Sequence, residues 1–342
     1  TDPRSGAYSF NYDPDGRLNR VTDPATGSLD LTYTEQPEGW TVEQVTALGR
    51  RSKIAVHLPP EDASIATPLD PDDRLLRVAT DPAGLDTQFR ETEDGREVAT
   101  APDGTITAAL LKQDPLLGEL APYAEIVQTT TPSGLRQSVT TQRNATATGP
   151  DSLNASLWTE TSTTNGRSAT VTYSRGQRSI VSTSPEGRQS TANLDSLGRV
   201  IQEQVPGLEP VRTSYDALGR VSRVEQGPEG AARASTTTYD AQGYVETVTD
   251  PLTRTVQFQH DAVGRVTKQI LPDLREITFT YDASGNLTSV TPPSRPAHSF
   301  SYTPVDQLDT YTPPDVVVGT DATSYSYNRD RQLTQITRPD GQ

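Results

Sequence analysis

Histidines are the first residues of this 342-residue sequence that could do acid–base or metal chemistry. There are three, His57, His260 and His298, and they are far apart in the chain. No His-Glu-x-x-His pattern places two zinc ligands on one helix face. His260 occupies the tyrosine position of a repeated motif described below, so we expect it to pack in an aromatic row rather than to act as a base or a ligand.

Grouped aspartates offer the oxygen ligands that Ca²⁺ prefers. One group is Asp13 with Asp15, and the other is Asp70 with Asp72 and Asp73. Neither group lies in a 12-residue loop that ends in glutamate, as an EF-hand requires. We therefore predict that both groups lie in solvated turns and hold no metal.

Trp40 and Trp158 are candidates for a sugar-binding surface, because exposed aromatic rings stack on sugars and these two fall outside the regular tyrosine rows. Isolated packing residues are the other interpretation, and the one we favour. Neither a Gly-x-Ser-x-Gly motif nor a glycine-rich phosphate loop is present, and the absence of cysteine excludes a thiol nucleophile and a disulfide framework. The sequence thus predicts a non-enzymatic protein with no catalytic residue, cofactor or metal, and leaves any ligand-binding residues undefined.

Composition indicates what kind of element carries these residues. Only 32% of the chain is hydrophobic, and 27 prolines and 24 glycines are spread along it, so a thick core and long helices are both disfavoured. Yet 13 tyrosines, 5 phenylalanines and many valines and threonines suit a half-buried pleated surface and argue against disorder. An all-β chain of many short strands is predicted.

Charge and hydropathy limit the partners. A formal net charge of -15 at pH 7 disfavours binding to nucleic acid or an anionic membrane surface through a basic patch. The longest apolar runs, such as 316–318, fall far short of the roughly 20 residues of a membrane span. The chain also contains no methionine, which is typical of a segment of a longer polypeptide.

A repeat organises the second half of the chain. Five copies of a Tyr-Asp-x-x-Gly-Arg-Leu/Val unit, some with one position changed, have glycines 21, 24, 21 and 21 residues apart, at Gly198, Gly219, Gly243, Gly264 and Gly285. Degenerate copies occupy 302–308 and 327–333, and a good copy lies at 12–18. The unit therefore recurs from one end of the chain to the other.

Each residue type in the unit fits a hairpin turn. The aspartate carboxylate can accept hydrogen bonds from backbone N–H groups one or two residues on, and the glycine takes the positive φ that closes the turn. Before the turn the side chains alternate, with Phe279 and Tyr281 on one face and Thr278 and Thr280 on the other. A second turn signal, such as Asp250-Pro251, follows halfway round each unit. The pattern predicts a meander of antiparallel hairpins.

The first half keeps the turn residues but loses the strict period. We predict diverged hairpins in residues 1–190 and regular 21-residue repeats in 191–342, all in one continuous repeat domain. Residues 105–128 are richer in leucine and alanine and could hold a short helix, which Pro115 and Pro122 limit to about one or two turns. A loop insertion is predicted near 144–168, which is rich in Asn, Thr, Ser and Gly.

The aromatic-x-Tyr-Asp-x-x-Gly-Arg-Leu/Val unit resembles the YD repeats of the RHS protein family, closely in the regular half and loosely before it. That family includes bacterial polymorphic toxins, shell components of insecticidal toxin complexes, wall-associated proteins and the teneurins. The resemblance implies a β-hairpin ribbon that coils into a curved or hollow shell. In the toxins such a shell encloses a C-terminal effector, and in other members it serves adhesion or sugar binding.

The resemblance leads to two hypotheses of function. The first is a non-enzymatic shell segment that encapsulates or displays another domain, such as a toxin effector, of a large secreted or cell-surface bacterial protein. The partners would then be the flanking domains of its own chain. The alternative is a carbohydrate-binding or adhesion module that contacts cell-surface glycans.

A third hypothesis is autoproteolysis, since shells of the family often cleave themselves near an Asp-Pro-x-Gly-Leu motif. Asp81-Pro82-Ala83-Gly84-Leu85 has those residues. It lies early in the chain, however, and further repeats follow it. We therefore interpret it as an ordinary turn and assign it no protease role.

Overall fold

The computed structural model describes residues 6–59, 73–147, 155–228, 230–314 and 322–339. These residues form 28 β-strands and no helix. The prediction of an all-β chain is confirmed. No helix in the described part of the chain has the length and apolar character to cross a membrane, and the apolar run 316–318 lies outside the described residues.

The strands of the first half are short to long, from four to thirteen residues. They are β1 Ser9–Tyr12, β2 Leu18–Thr22, β3 Ser28–Gln36, β4 Gly39–Thr46, β5 Arg51–His57, β6 Asp73–Thr80, β7 Asp86–Thr92, β8 Arg96–Thr100, β9 Ile106–Asp114, β10 Gly118–Thr130, β11 Arg136–Ala147, β12 Ala155–Thr164, β13 Arg167–Ser174 and β14 Ser179–Thr183.

The strands of the regular half have five to seven residues. They are β15 Gln189–Leu194, β16 Val200–Gln204, β17 Val211–Tyr215, β18 Val221–Gln226, β19 Arg233–Tyr239, β20 Val245–Thr249, β21 Thr255–His260, β22 Val266–Ile270, β23 Glu276–Tyr281, β24 Leu287–Thr291, β25 His298–Tyr302, β26 Leu308–Thr312, β27 Thr323–Tyr327 and β28 Leu333–Thr337.

The chain divides into two compact units. The first unit comprises Thr1–Tyr33, Glu43–Arg51 and Ala234–Gln342, and the second comprises Thr34–Val42 and Ser52–Arg233. In the first unit each strand from β19 to β28 pairs antiparallel with the next, as do β1, β2 and β3. In the second unit the same holds from β5 to β18. Antiparallel hairpins in chain order are therefore confirmed within each unit.

A β-bulge sits at every regular Tyr-Asp turn. The register shifts immediately before the tyrosine position, as between Ser214 and Tyr215 or between Thr280 and Tyr281. The pairing at the mid-repeat turns stays in register, for example where Thr249 faces Thr255. Because a bulge re-aims the side chain beside it, the two turns of a repeat present their residues differently. This asymmetry was not part of the sequence prediction.

Few of the described side chains are buried. Among the described residues the buried hydrophobic side chains are Ala55, Val56, Leu76, Tyr123, Leu194 and Val305. The aromatic rows are half-buried, and the alternate polar residues are exposed, as in β25 and β27. The expectation that the chain has no thick core agrees with this pattern.

The helix predicted within 105–128 is wrong. Residues there form β9 and β10, which pair from Thr130 opposite Ile106 back to Tyr123 opposite Lys112. Pro122 lies where the register breaks between Gly118 and Tyr123, so its missing N–H costs no ladder bond. Cross-strand pairing has outweighed the helix propensity of leucine and alanine.

The region predicted as an insertion contains two paired strands. Residues up to Ala147 continue β11, and β12 begins at Ala155, with Asn144 opposite Thr159. Asn165 and Gly166, at φ 48 and 83, make the tight turn into β13. Residues 148–154 lie outside the described part of the chain.

Candidate functional site: the junction between repeats

The aspartate of each Tyr-Asp turn organises the loop with one carboxylate oxygen. Asp216 Oδ1 accepts hydrogen bonds from the backbone N–H groups of Leu218 and Arg220, both at 2.9 Å. Gly219 closes the turn at φ 83. The same pair of acceptances occurs at Asp13, Asp195, Asp240 and Asp261. The carboxylate thus bonds N–H groups two and four residues on, a longer reach than predicted.

The second carboxylate oxygen binds the arginine that follows the glycine. Asp216 Oδ2 accepts from Arg220 Nε and Nη2, both at 2.7 Å. Asp195 forms the same forked pair with Arg199. Asp261 Oδ2 accepts from Arg265 Nε at 2.6 Å. The backbone N–H and the guanidinium of Arg220 hold the pKa of Asp216 below its usual value. The turns that begin at Asp195, Asp216 and Asp261 are therefore closed by an ion pair as well as by backbone bonds.

The arginine also contacts the tyrosine of the next repeat. The guanidinium carbon of Arg199 lies 4.4 Å from the ring centre of Tyr215, and that of Arg265 lies 4.7 Å from Tyr281. Both distances are within the range of a cation–π contact. One arginine therefore ties its own turn to the following strand.

The tyrosine phenol completes the junction. It donates a hydrogen bond to a backbone carbonyl just after the preceding turn, at 2.7 Å from Tyr215 to Val200 and at 2.9 Å from Tyr281 to Val266. The phenols of Tyr302 and Tyr327 bond Leu287 and Leu308 in the same way. We call the aspartate and arginine of one turn, with the tyrosine of the next repeat and its carbonyl, the repeat junction. Its chemistry holds hairpins together.

Removal of one phenol tests this junction. We expect Tyr281→Phe to lower the free energy of unfolding by about 1 kcal/mol, because it leaves the half-buried carbonyl of Val266 without its partner. Tyr12, which is 60% exposed, is the matched control, and Tyr12→Phe should change stability by less than about 0.5 kcal/mol. Urea unfolding of both variants provides the measurement, and equal effects would contradict the role of the phenol.

Acid should weaken the junctions. The pKa values of Asp195, Asp216 and Asp261 are lowered by hydrogen bonds from the following arginines, against the opposing effect of burial. A carboxylate with a lowered pKa contributes stability that is complete above its unfolded pKa of about 4 and is lost as pH falls through the folded value.

The test replaces all three carboxylates with amides, which keep the Oδ1 acceptor but do not titrate. We expect the urea midpoint of the wild-type chain to fall more steeply between about pH 4 and about pH 2 than that of the Asp195→Asn, Asp216→Asn, Asp261→Asn variant. Parallel pH profiles of the two proteins would refute this prediction.

One junction departs from the pattern. Tyr244 stands where the turns that begin at Asp195, Asp216 and Asp261 have arginine, and His260 stands in the tyrosine position of the next repeat. Their ring centres are 5.2 Å apart with an interplanar angle of 36°. His260 therefore packs in the aromatic row, as predicted.

The other predicted candidates each make contacts of their own. His298 Nδ1 is 2.8 Å from the Tyr311 hydroxyl, and their rings stack with centres 6.0 Å apart. His57 is half-buried at the end of β5. Asp81 Oδ1 accepts from the N–H groups of Ala83 and Leu85, at 2.8 and 2.9 Å, in the same turn geometry as Asp216.

The predicted aspartate groups differ in outcome. Asp13 and Asp15 lie in an exposed turn, where Asp15 pairs with Arg17 at 3.1 Å, in agreement with the prediction. Asp73 is not in a solvated turn: it begins β6, its side chain is 3% exposed, and Arg90 Nη1 lies 2.6 Å away. Burial of this carboxylate is offset by the ion pair. Asp70 and Asp72 lie outside the described residues, and the described part of the chain holds no group of three or more metal-ligating His, Asp or Glu side chains.

A charged cluster in the second unit was missed by the sequence reasoning. Arg143 Nε is 2.7 Å from Glu160 Oε2, and Arg143 Nη1 is 3.2 Å from Asp114 Oδ2. Its guanidinium carbon lies 4.6 Å from the ring centre of Tyr123 and 6.0 Å from that of Trp158. Trp158 is half-buried beside this cluster and Trp40 is half-buried in β4, as expected of packing residues. No local pattern marks the cluster, because its members come from β9, β10, β11 and β12.

Contacts between the turn at 328–332 and two early turns of the first unit were also missed. Arg331 donates to Asp23 Oδ2 from Nε at 3.0 Å and from Nη2 at 2.9 Å. Asp330 accepts from the Thr46 hydroxyl at 2.6 Å and from the Leu48 N–H at 3.0 Å. The turn at 328–332 thus binds two other turns, at 23–27 and at 46–50, through residues that are more than 280 positions apart in the chain. Within this unit, hairpin turns that are distant in the sequence bind each other through side-chain hydrogen bonds.

Comparison with known proteins adds two findings. A family model described as Teneurin YD-shell matches residues 1–342. Solved structures similar to this chain include a crystal structure of TcdB2-TccC3-TEV, at 14% identity and a TM-score of 0.50, covering 98% of this chain and 22% of that one. The pore of the Photorhabdus luminescens Tc holotoxin matches at 13% identity and a TM-score of 0.47, covering 98% of this chain and 21% of that one. This chain thus spans about a fifth of each of those chains. Among curated proteins none matches.

Proposed function

The chain belongs to the Teneurin YD-shell family, and from this premise we propose that it is a non-enzymatic structural segment of a shell that encloses or displays another domain, such as a toxin effector. The proposal includes a hairpin ribbon that coils into that shell. It also places the parent protein outside the cell or on the cell surface.

The repeat junction is the observation that carries this proposal. Its aspartates, arginines and tyrosines are the side chains that a catalytic or binding site would use, and here they bind one another and the backbone of the next hairpin. Such repetition suits a wall, since each unit is held by its neighbour rather than by a central core. A structural shell of this kind needs no catalytic or ligand-binding side chains on its surface.

The same contacts favour the shell over the glycan-binding alternative. A tyrosine that stacks on a sugar must leave its ring face open. An arginine covers one face of the Tyr215 ring and one face of the Tyr281 ring, and the hydroxyls of both tyrosines donate to backbone carbonyls. Trp158 lies beside Arg143 in the charged cluster.

Protease protection tests enclosure directly. The natural gene product that contains residues 1–342 would be digested with a broad-specificity protease, alongside an Asp216→Ala, Asp261→Ala variant whose turns lack their carboxylates. Enclosure predicts that a domain outside residues 1–342 resists digestion in the wild-type protein and is cleaved at least tenfold faster in the variant, in keeping with local opening of the wall. Equal cleavage in both proteins, or a gene product without a further domain, would overturn the proposal.

A further inference from the structure

The junction between the repeats that contain Asp240 and His260 has lost its arginine. At the regular junctions the Oδ2 atom of the turn aspartate accepts a guanidinium. Asp240 keeps the first half of that arrangement, since its Oδ1 accepts from the N–H groups of Gln242 at 3.0 Å and Tyr244 at 2.8 Å. Tyr244, in the arginine position, brings no positive charge to Oδ2.

An imidazole faces this carboxylate instead. His260 Nδ1 lies 3.8 Å from Asp240 Oδ2, which is too long for a hydrogen bond. The His260 side chain is 8% exposed, and its Nδ1 atom is buried without a hydrogen-bond partner. A buried polar atom without a partner is costly and calls for a physical explanation.

We propose that His260 is a proton-operated link between these two repeats. With a proton from solvent on Nδ1, the imidazolium donates to Asp240 Oδ2 and supplies the positive charge that arginine supplies to Asp195, Asp216 and Asp261. Without that charge, the two repeats are joined here by the contact between the His260 and Tyr244 rings. The hydrogen bond between His260 and Asp240 therefore forms at the acid end of the pH range and is absent at the basic end.

The charged groups around His260 fit this assignment. Asp240 and Tyr244 face it from the preceding repeat. Asp261, next in the chain, is bound to Arg265 at 2.6 Å, and that guanidinium lies over Tyr281 of the following repeat. Val266, which pairs with His260 across the strands, is apolar. Asp240 is thus the carboxylate placed to receive the imidazolium proton.

The direction of the pH effect follows from linkage. Histidine changes its charge between about pH 5 and about pH 8. An imidazolium that gains a carboxylate partner on folding contributes stability that is present at the acid end of this range and is lost as pH rises. Acidification within this window therefore tightens the junction, whereas it weakens the arginine junctions only at much lower pH.

A double-mutant cycle between residues 240 and 260 tests the proposal on the full 342-residue chain. Unfolding equilibria of the wild-type chain, Asp240→Asn, His260→Tyr and the double variant would be measured at about pH 8 and about pH 5.5. In the wild-type background, we expect Asp240→Asn to raise the unfolding equilibrium constant about fivefold more at about pH 5.5 than at about pH 8. In the His260→Tyr background, Asp240→Asn should raise the constant by the same factor at both pH values. The same Asp240→Asn effect at both pH values in both backgrounds would overturn the proposal.

A second variant keeps the test decisive if Asp240→Asn does not fold. Tyr244→Arg combined with His260→Tyr restores the residues of the regular junctions, as in Arg199 with Tyr215. This protein should lose the stability gain between about pH 8 and about pH 5.5 that the wild-type chain shows. His298→Phe is the control, since His298 lies against Tyr311 in another repeat and its replacement should leave that gain intact. The assignment to His260 would be contradicted if the Tyr244→Arg, His260→Tyr variant kept this pH-dependent gain in stability, or if His298→Phe lost it.

Discussion

Gly39→Ala is expected to destabilise the chain by about 4 kcal/mol or to prevent folding of the second unit. A methyl group built at Gly39 would lie 2.0 Å from the carbonyl oxygen of Val56 and 2.9 Å from its carbonyl carbon. Both atoms belong to the backbone of β5, where Val56 itself is buried, so no side-chain rotation relieves the clash. The glycine also has φ 144, a conformation that alanine rarely adopts.

Gly16→Ala is the control that has backbone strain but no steric clash. Gly16 also has a positive φ, at 80, but nothing lies within 4 Å of the added methyl group. This variant should lose only about 1 kcal/mol, the cost of a left-handed conformation for an alanine. Equilibrium urea unfolding compares the two variants. If Gly39→Ala were no less stable than Gly16→Ala, the close approach of β4 to β5 would be contradicted.

Arg143→Ala should have the second-largest effect, a loss of about 3 kcal/mol of unfolding free energy at neutral pH. Asp114 is 8% exposed and Glu160 is 27% exposed, and both carboxylates would remain in place without the guanidinium between them. The backbone N–H groups of Leu116 and Leu117 would still bond Asp114 Oδ1, but the charge of the two acids would be unopposed. The packing of the guanidinium on Tyr123 would be lost as well.

Two controls distinguish this cluster from an ordinary ion pair. Arg167 pairs with Glu186 at 2.8 Å but is 72% exposed, so Arg167→Ala should cost less than about 1 kcal/mol. Arg143→Lys keeps the charge and loses the fork, so it should fall between the wild type and Arg143→Ala. Acid provides an independent measurement. The pKa of Asp114 is lowered, against the effect of burial, by hydrogen bonds from Leu116, Leu117 and Arg143, so protonation of Asp114 should narrow the difference in unfolding free energy between wild type and Arg143→Ala. If the difference in unfolding free energy did not change with pH, the loss of stability in Arg143→Ala would come from lost packing and not from lost charge.

Turn chemistry is local, and this is why it was predictable. The aspartate at the start of a turn and the glycine three residues later determine the loop within a five-residue window, as Asp216 and Gly219 illustrate. Strand alternation is equally local, because its period of two is visible in any five residues. The family resemblance rested on the same short motif.

The junction contacts were accessible only in part. The motif contains its aspartate and arginine four residues apart, which indicates a pair, but it does not show that the arginine also covers the next tyrosine, 16 residues on. That contact depends on the bulge before the tyrosine, which re-aims the ring. Equally, the sequence marks Tyr244 and His260 as exceptions without indicating that they meet.

The sequence by itself determined the all-β class, the hairpin order and the turn residues, since each follows from the conformational preferences of a few neighbouring residues. Only the tertiary structure decided that Asp23 binds Arg331, that Arg143 lies between two acids and two rings, and that Gly39 passes against Val56. These contacts join residues from different hairpins or strands, so they depend on registers and bulges accumulated along the chain. A repeat with one local code can therefore contain individual junctions with different chemistry, as at His260.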